Sequence, residues 1–282
     1  MLGKLLKYDL KALSRVLIPV HLAAVAVTVV ACGAALTGYA VNELPSLAAS
    51  DYANPIMALA ALVLVMGILA LACVAAATFV VILWRFYKNL FTDEGYLTLT
   101  LPASPAAQLG SKVLAGLIWM LIDLVVVFTA IALIIAAAEG FAGSTDIEDV
   151  IPYWIMRAST GYGLFGSYAG PTVLEVALTF VQTVVQMAFG LLMAYAAFAL
   201  GAALAQRHKV AAGIGLYVAL SWGYGFLAGA VSVLGVFASG GIGSVTAYYA
   251  LTSALGTLLQ VVACGALWLI CLWVLKRKVN LP

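Results

Sequence analysis

The chain has 282 residues, with 13 Lys and Arg against 11 Asp and Glu for a net charge of +2; 66% of it is hydrophobic and 9% charged. Soluble domains carry about 25% charged and about 45–50% apolar residues, so this chain has too few polar side chains to cover a globule of its size. A soluble enzyme, a nucleic-acid binder and a disordered chain are excluded, and an all-α, polytopic membrane protein is expected, a single transmembrane domain over residues 1–282.

Residues 1–16 read as an amphipathic helix. Leu2, Leu5, Leu6, Leu10, Leu13 and Leu17 recur at steps of three and four and form one stripe, and Lys4, Lys7, Lys11 and Arg15 take the opposite face. Such a helix lies in the membrane interface as an elbow leading into the first span, or serves only as a topogenic anchor. Asp9 falls near the leucine side. It either pairs with a basic residue of the bundle or sits at the rim in water. The apolar run after residue 16 is too long for a signal peptide, and no cleavage site is evident.

Six apolar stretches reach the roughly 20 residues a spanning helix needs: 17–39, 56–84, 112–138, 171–205, 210–238 and 245–275. Asn54-Pro55 and Gly170-Pro171-Thr172 mark the starts of the second and fourth. With the N-terminus inside, twelve of the 13 cationic side chains fall in cytoplasmic segments and only Arg157 lies outside. The outer segments hold Glu43, Asp51, Glu139, Asp146, Glu148 and Asp149. Both termini are therefore expected in the cytoplasm. Cys32, Cys73, Cys264 and Cys271 all lie in apolar runs without a CxxC pair, so neither a disulfide nor a metal site is expected.

The cytoplasmic segment 85–111 carries Phe86, Tyr87, Phe91, Tyr96, Leu97, Leu99 and Leu101. Aromatic and leucine side chains on such a loop form a docking surface, or they fold back onto head groups and helix ends. Thr92-Asp93-Glu94 has the character of a helix start, and Pro102 and Pro105 limit the length of any helix begun there.

Arg85-Phe86-Tyr87-Lys88-Asn89-Leu90, then Asp93-Glu94-Gly95-Tyr96-Leu97, Thr100-Leu101-Pro102 and Ser111-Lys112 leading into an apolar span, together resemble the membrane-spanning permease subunit of an ABC-2-type ABC transporter. The motif region covers about 28 residues, and the six spans with an N-terminal elbow extend the resemblance over most of the chain. The resemblance implies that the loop is a coupling helix seated on a cytoplasmic ABC ATPase subunit, with Asp93, Glu94, Gly95, Tyr96 and Leu97 as the contact. Tyr96 and Leu97 are its buried anchors, the acids its rim and Gly95 its bend. It also implies a second permease subunit, identical or not, with ATP and Mg bound by the ATPase and no cofactor in this chain. Better-known relatives place re-entrant elements before the last span, whereas here only 239–244 joins the last two spans and the long outer segment is 139–170.

No GxxxxGK[ST] sequence is present, and no hydrolytic constellation such as HExxH is visible. An enzyme is not expected, and any ATP must be hydrolysed by another chain. Inside the spans, Asp123 lies eleven residues past Lys112, roughly 16 Å along the helix. It lines a pathway, or it satisfies a partner such as Trp119, Thr or Ser on a neighbour. Glu175, Thr179, Gln182 and Gln186 share a helix face and suit a pathway, a subunit interface or hydrogen bonding between helices. Gly213, Gly215, Gly223, Gly225 and Gly229 suit tight packing or a hinge, and Trp222 in their midst is a candidate contact for an apolar substrate. His21 reads as a head-group residue near the inner interface.

In the outer segment, Thr145-Asp146-Ile147-Glu148 fits a capping box before the apolar stripe Ile147, Val150, Ile151, Trp154 and Ile155. The aromatic residues nearby suit the interfacial belt. The function expected from the sequence is that of a permease subunit in an ATP-driven exporter of a hydrophobic or amphipathic cargo such as a peptide antibiotic, drug or lipid. Its expected place is a bacterial plasma membrane, with lipid and protein rather than nucleic acid as partners. The alternatives are a gradient-driven transporter or channel coupled at Asp123, and a membrane sensor or assembly factor.

Overall fold

A computed structural model of the chain describes residues 2–43, 48, 50–92, 95, 103–139, 173–205, 207–238 and 245–277. These residues form six α-helices and no strands: α1 (Leu2–Glu43), α2 (Ala53–Phe91), α3 (Pro105–Glu139), α4 (Val173–Leu204), α5 (Lys209–Ala238) and α6 (Val245–Arg277). Each contains a stretch long and apolar enough to cross a membrane, which makes this a multi-pass membrane protein. Helices suit that setting because they satisfy every backbone N–H and C=O within the segment. Large apolar side chains such as Leu22, Val29, Val30, Leu62, Phe226 and Phe237 stand on the outside, the distribution expected when the solvent is lipid rather than water.

The helices match the expected spans but overrun them at several ends. At 42 residues, α1 is about 63 Å long at the helical rise, against a hydrocarbon core of about 30 Å. Residues 2–16 are its first turns. Pro19 lies inside the helix, and no non-helical residue separates the amphipathic part from the span. Along the leucine stripe Leu13 and Leu17 are buried, Leu5, Leu6 and Leu10 half-buried and Leu2 exposed, while Lys4, Lys7, Lys11 and Arg15 are exposed.

Two boundaries differ from the sequence reading for local reasons. First, α2 begins at Ala53, whose N–H donates to the Ser50 carbonyl, so the turn at Ser50–Tyr52 starts the helix ahead of Asn54-Pro55. Second, the expected loop 85–111 is helical up to Phe91 and again from Pro105. Ser104 caps α3: its side-chain oxygen accepts the Ala107 N–H at 3.2 Å, and its carbonyl accepts the same group at 2.9 Å. Pro105 takes the first helical position, where its missing N–H costs nothing. It opens α3.

The chain divides into two compact units, and α1, α2 and α3 each run from one into the other. One unit comprises Leu13–Val81 and Trp119–Ala158. Its core is Ala24, Ala31, Leu71, Ala130 and Ile134, with Val27, Cys32, Leu64, Val74, Val126, Val127 and Ile131 packed around them. Small residues let α1 and α2 approach closely here: a methyl group at Gly67 would lie 3.0 Å from the Ala31 Cβ.

The other unit comprises Met1–Ala12, Ile82–Ile118 and Ser159–Pro282. Within it α4 packs on α5 and α6, and α5 packs on α6. The second half of α4 forms its centre, where Phe189, Leu191, Leu192, Met193, Ala194, Tyr195, Ala196, Ala197 and Ala199 are all buried. The glycines of α5 divide sharply. A Cβ at Gly213 would meet Phe198, whereas Gly215, Gly223, Gly225 and Gly229 face open space. Within the chain, tight packing holds for Gly213 alone, and its partner across the interface is Gly201 on α4.

Candidate functional site

Three polar side chains meet inside the first unit. Asp123 on α3 is 8% exposed, His21 on α1 is 8% exposed and Thr78 on α2 is 1% exposed. The Thr78 hydroxyl donates to Asp123 Oδ1 at 2.9 Å. His21 Nε2 lies 3.2 Å from the same oxygen, an ion-pair distance, though without the alignment of a hydrogen bond. The other ring nitrogen, Nδ1, donates to the Leu17 carbonyl one turn earlier on α1, at 2.7 Å. The Trp119 ring stands 5.8 Å from the imidazole, centroid to centroid, and its buried Nε1 has no hydrogen-bond partner.

Of the two readings for Asp123, the structure gives it partners, but they are ionisable and polar groups from two other helices. His21 is buried beside Asp123, so the head-group reading is corrected. No sequence spacing links positions 21, 78 and 123. The signal that was available is compositional: His21, Thr78 and Asp123 are polar residues in apolar runs, and polar groups in a bilayer seek one another.

A second polar group ties the other unit together. Asp9 Oδ1 accepts from Lys112 Nζ at 3.2 Å, and Asp9 Oδ2 accepts from the Ser111 hydroxyl at 2.8 Å. The two charged side chains are 15% and 8% exposed, so Asp9 pairs with a basic residue of the bundle and is not a solvated rim residue. The Ser111 hydroxyl also reaches the Gln108 carbonyl. One turn of α3 thus grips the first turns of α1.

Nearby, Phe86 at the end of α2 stacks on Tyr195 of α4, with ring centroids 3.7 Å apart and planes 7° from parallel. The Phe91 ring packs on both Phe86 and Tyr87, and Tyr87 meets Phe198 edge-on. Phe86 and Phe91 are therefore anchors that fold back into the bundle. The Tyr195 hydroxyl donates to the Lys112 carbonyl at 3.4 Å.

Of the expected docking residues, Gly95 is helical and buried, and its N–H donates to the Thr92 carbonyl at 2.7 Å. The Thr92 hydroxyl donates back to the Lys88 carbonyl, so that side chain closes α2. Asp93, Glu94, Tyr96 and Leu97 lie outside the described residues, as do residues 140–170 and with them the expected outer helix.

On α4, Thr179 and Gln186 are exposed and Gln182 is half-buried. Trp222 on α5 is 71% exposed. Thr179, Gln186 and Trp222 thus stand on the outside of their own unit.

Among the described residues no three His, Cys, Asp or Glu side chains gather to hold a metal ion, and the four cysteines are free. Comparison of the chain with protein-family models, with curated proteins and with solved structures finds no match.

Proposed function

We propose that the chain is the membrane-spanning subunit of an ATP-driven ABC-2-type transporter, an exporter of a hydrophobic or amphipathic cargo from a bacterial cell. The observation that supports this reading is the packing at both ends of the segment between α2 and α3. The α2 end is clamped by the Phe86–Tyr195 stack, and the α3 start by the Asp9–Lys112–Ser111 group. A soluble motor moves helices through a segment anchored at its ends, and contacts of this kind supply such anchoring. The segment's Asp93, Glu94, Gly95, Tyr96 and Leu97 form the contact with a cytoplasmic ATPase, which binds the ATP and Mg that this chain has no motif to hold.

In this reading both termini are cytoplasmic. The exposed lysines of the first turns of α1 lie against anionic head groups as an elbow. A second permease subunit covers the polar face of α4, because exposed polar side chains such as Thr179 and Gln186 are costly against lipid and find partners across a helix interface. Thr179, Gln182, Gln186 and Trp222 then line the cargo path between subunits.

Changing Tyr96 and Leu97 together to Ala is expected to abolish recovery of the ATPase with the tagged chain, while membrane insertion is unchanged. ATPase retained at wild-type stoichiometry would make the contact assignment wrong. Changing Gln182 and Gln186 together to Leu is expected to lower transport roughly five- to tenfold, from about 0.6 kcal/mol for each hydrogen bond lost between helices. Transport at the wild-type rate in proteoliposomes would remove those residues from the path.

A further inference from the structure

Among the described lysines and arginines, Arg85 alone keeps a buried nitrogen that nothing satisfies. Its side chain is half-buried on α2, and its Nε is covered without a hydrogen-bond partner. Lys112, the buried cation on α3, has Asp9 to meet it. A guanidinium has N–H donors on every edge, no acceptor and a permanent charge. Half-removed from water, such a group costs free energy until an anion meets it.

The described residues do not supply that anion. Phe86, next to Arg85, stacks on Tyr195, and the Tyr195 hydroxyl reaches the Lys112 carbonyl. Arg85 therefore lies at the level of the Asp9–Lys112–Ser111 group. Both Asp9 oxygens are already engaged there, one by Lys112 and one by Ser111.

The surroundings are cationic and suit the edge of a membrane. Lys88, one turn further along α2, is exposed. A Cβ at Gly110 would touch Leu2, which brings the exposed Lys4 and Lys7 to the same end of the unit. Trp84, beside Arg85, is exposed as well. An exposed indole, apolar in body with one N–H, settles where acyl chains give way to head groups. The helix ends at Phe91, six residues past Arg85 and about 9 Å along the axis. From that depth an arginine reaches the head-group layer by extending its stem. The anions of that layer are phosphates, and the planar fork of a guanidinium bonds two phosphate oxygens at once.

We propose that Arg85 binds the phosphate of one anionic lipid, with Lys88 as a second cation one turn away. The lipid neutralises Arg85 and is a fixed part of the protein at the end of α2, next to the segment between α2 and α3. Two cations select a head group of net negative charge over a zwitterionic one. The proposal rests on the membrane setting of the six helices and not on an ATPase.

The test uses the full chain, stripped of lipid in a neutral detergent. It is titrated with phosphatidylglycerol, or with phosphatidylcholine of the same acyl chains, and read by native mass spectrometry and thermal unfolding. Expected are one tightly retained phosphatidylglycerol per chain and a higher unfolding temperature with it, and neither with phosphatidylcholine. Arg85→Gln is expected to weaken retention about tenfold or more, the loss of a charge-assisted hydrogen bond. Lys88→Gln is expected to weaken it about fivefold, the share of one surface cation. Arg85→Lys keeps the charge but not the fork, and is expected to fall between wild type and Arg85→Gln. Arg15→Gln removes the same charge from an exposed position in the other unit, and is expected to leave retention unchanged. Equal retention of the two lipids would overturn the proposal. So would retention unchanged in Arg85→Gln, or lowered equally in Arg15→Gln. Inorganic phosphate that stabilises the wild type as phosphatidylglycerol does would also overturn it, because the anion would then come from solution. If Arg85→Gln does not fold, Arg85→Lys against Arg15→Gln decides.

Discussion

A single methyl group added at Gly201 is expected to cost the protein about 3 kcal/mol or more, the upper end of what overpacking a core does. Its Cβ would lie 2.5 Å from the backbone nitrogen of Gly213 and 2.7 Å from its Cα. Backbone atoms have no rotamer to escape into, so α4 and α5 must separate. The reciprocal change Gly213→Ala meets the Phe198 ring at 2.8 Å and the Phe198 Cα at 3.2 Å. The ring can turn aside in part, so a smaller loss is expected. Gly215→Ala enters open space and is expected to gain a little from helix propensity. Thermal unfolding in detergent should rank the variants with Gly201→Ala least stable, then Gly213→Ala, then Gly215→Ala. Equal stabilities would mean that α4 and α5 do not meet at this crossing.

The second large effect is expected at the Asp9–Lys112 pair. Lys112→Met removes the cation and leaves a mostly buried carboxylate beside Ser111. Breaking a buried pair on one side costs about 3–5 kcal/mol, whereas replacing both partners with neutral groups is often close to harmless. The double variant Asp9→Asn with Lys112→Met is therefore expected to recover most of the loss. Unfolding midpoints of the four proteins in the cycle give the coupling directly. A double variant as unstable as the sum of the singles would show that the two side chains act apart.

The spans were legible because length and apolarity set them directly. The starts of α5 and α6 were read to within a residue, at Lys209 and Val245. What the sequence hid is how helices from distant segments meet. His21, read alone, sits where head groups would be, and only the closeness of α1, α2 and α3 makes it a partner of Asp123. In the same way, α5 offers five glycines with nothing to distinguish Gly213, because the distinguishing feature is Gly201 on another helix. Phe86 and Phe91 could be read as a docking surface or as side chains folded back onto helix ends, and α2 decides for the second, with Phe86 stacked on Tyr195 and Phe91 packed on Phe86. Pro105 shows that a proline read as a stop is equally a start when a serine precedes it. Its neighbour Ser104 was the overlooked signal.

A separate ATPase that drives this chain through the segment between α2 and α3 must stay bound to it. The most direct test is a gentle affinity purification of the tagged chain from native membranes, with the co-purifying proteins identified by mass spectrometry. A P-loop ATPase recovered in fixed stoichiometry with the chain is the predicted result. A monodisperse preparation that carries no ATPase, in a detergent that preserves the six-helix fold, would contradict it.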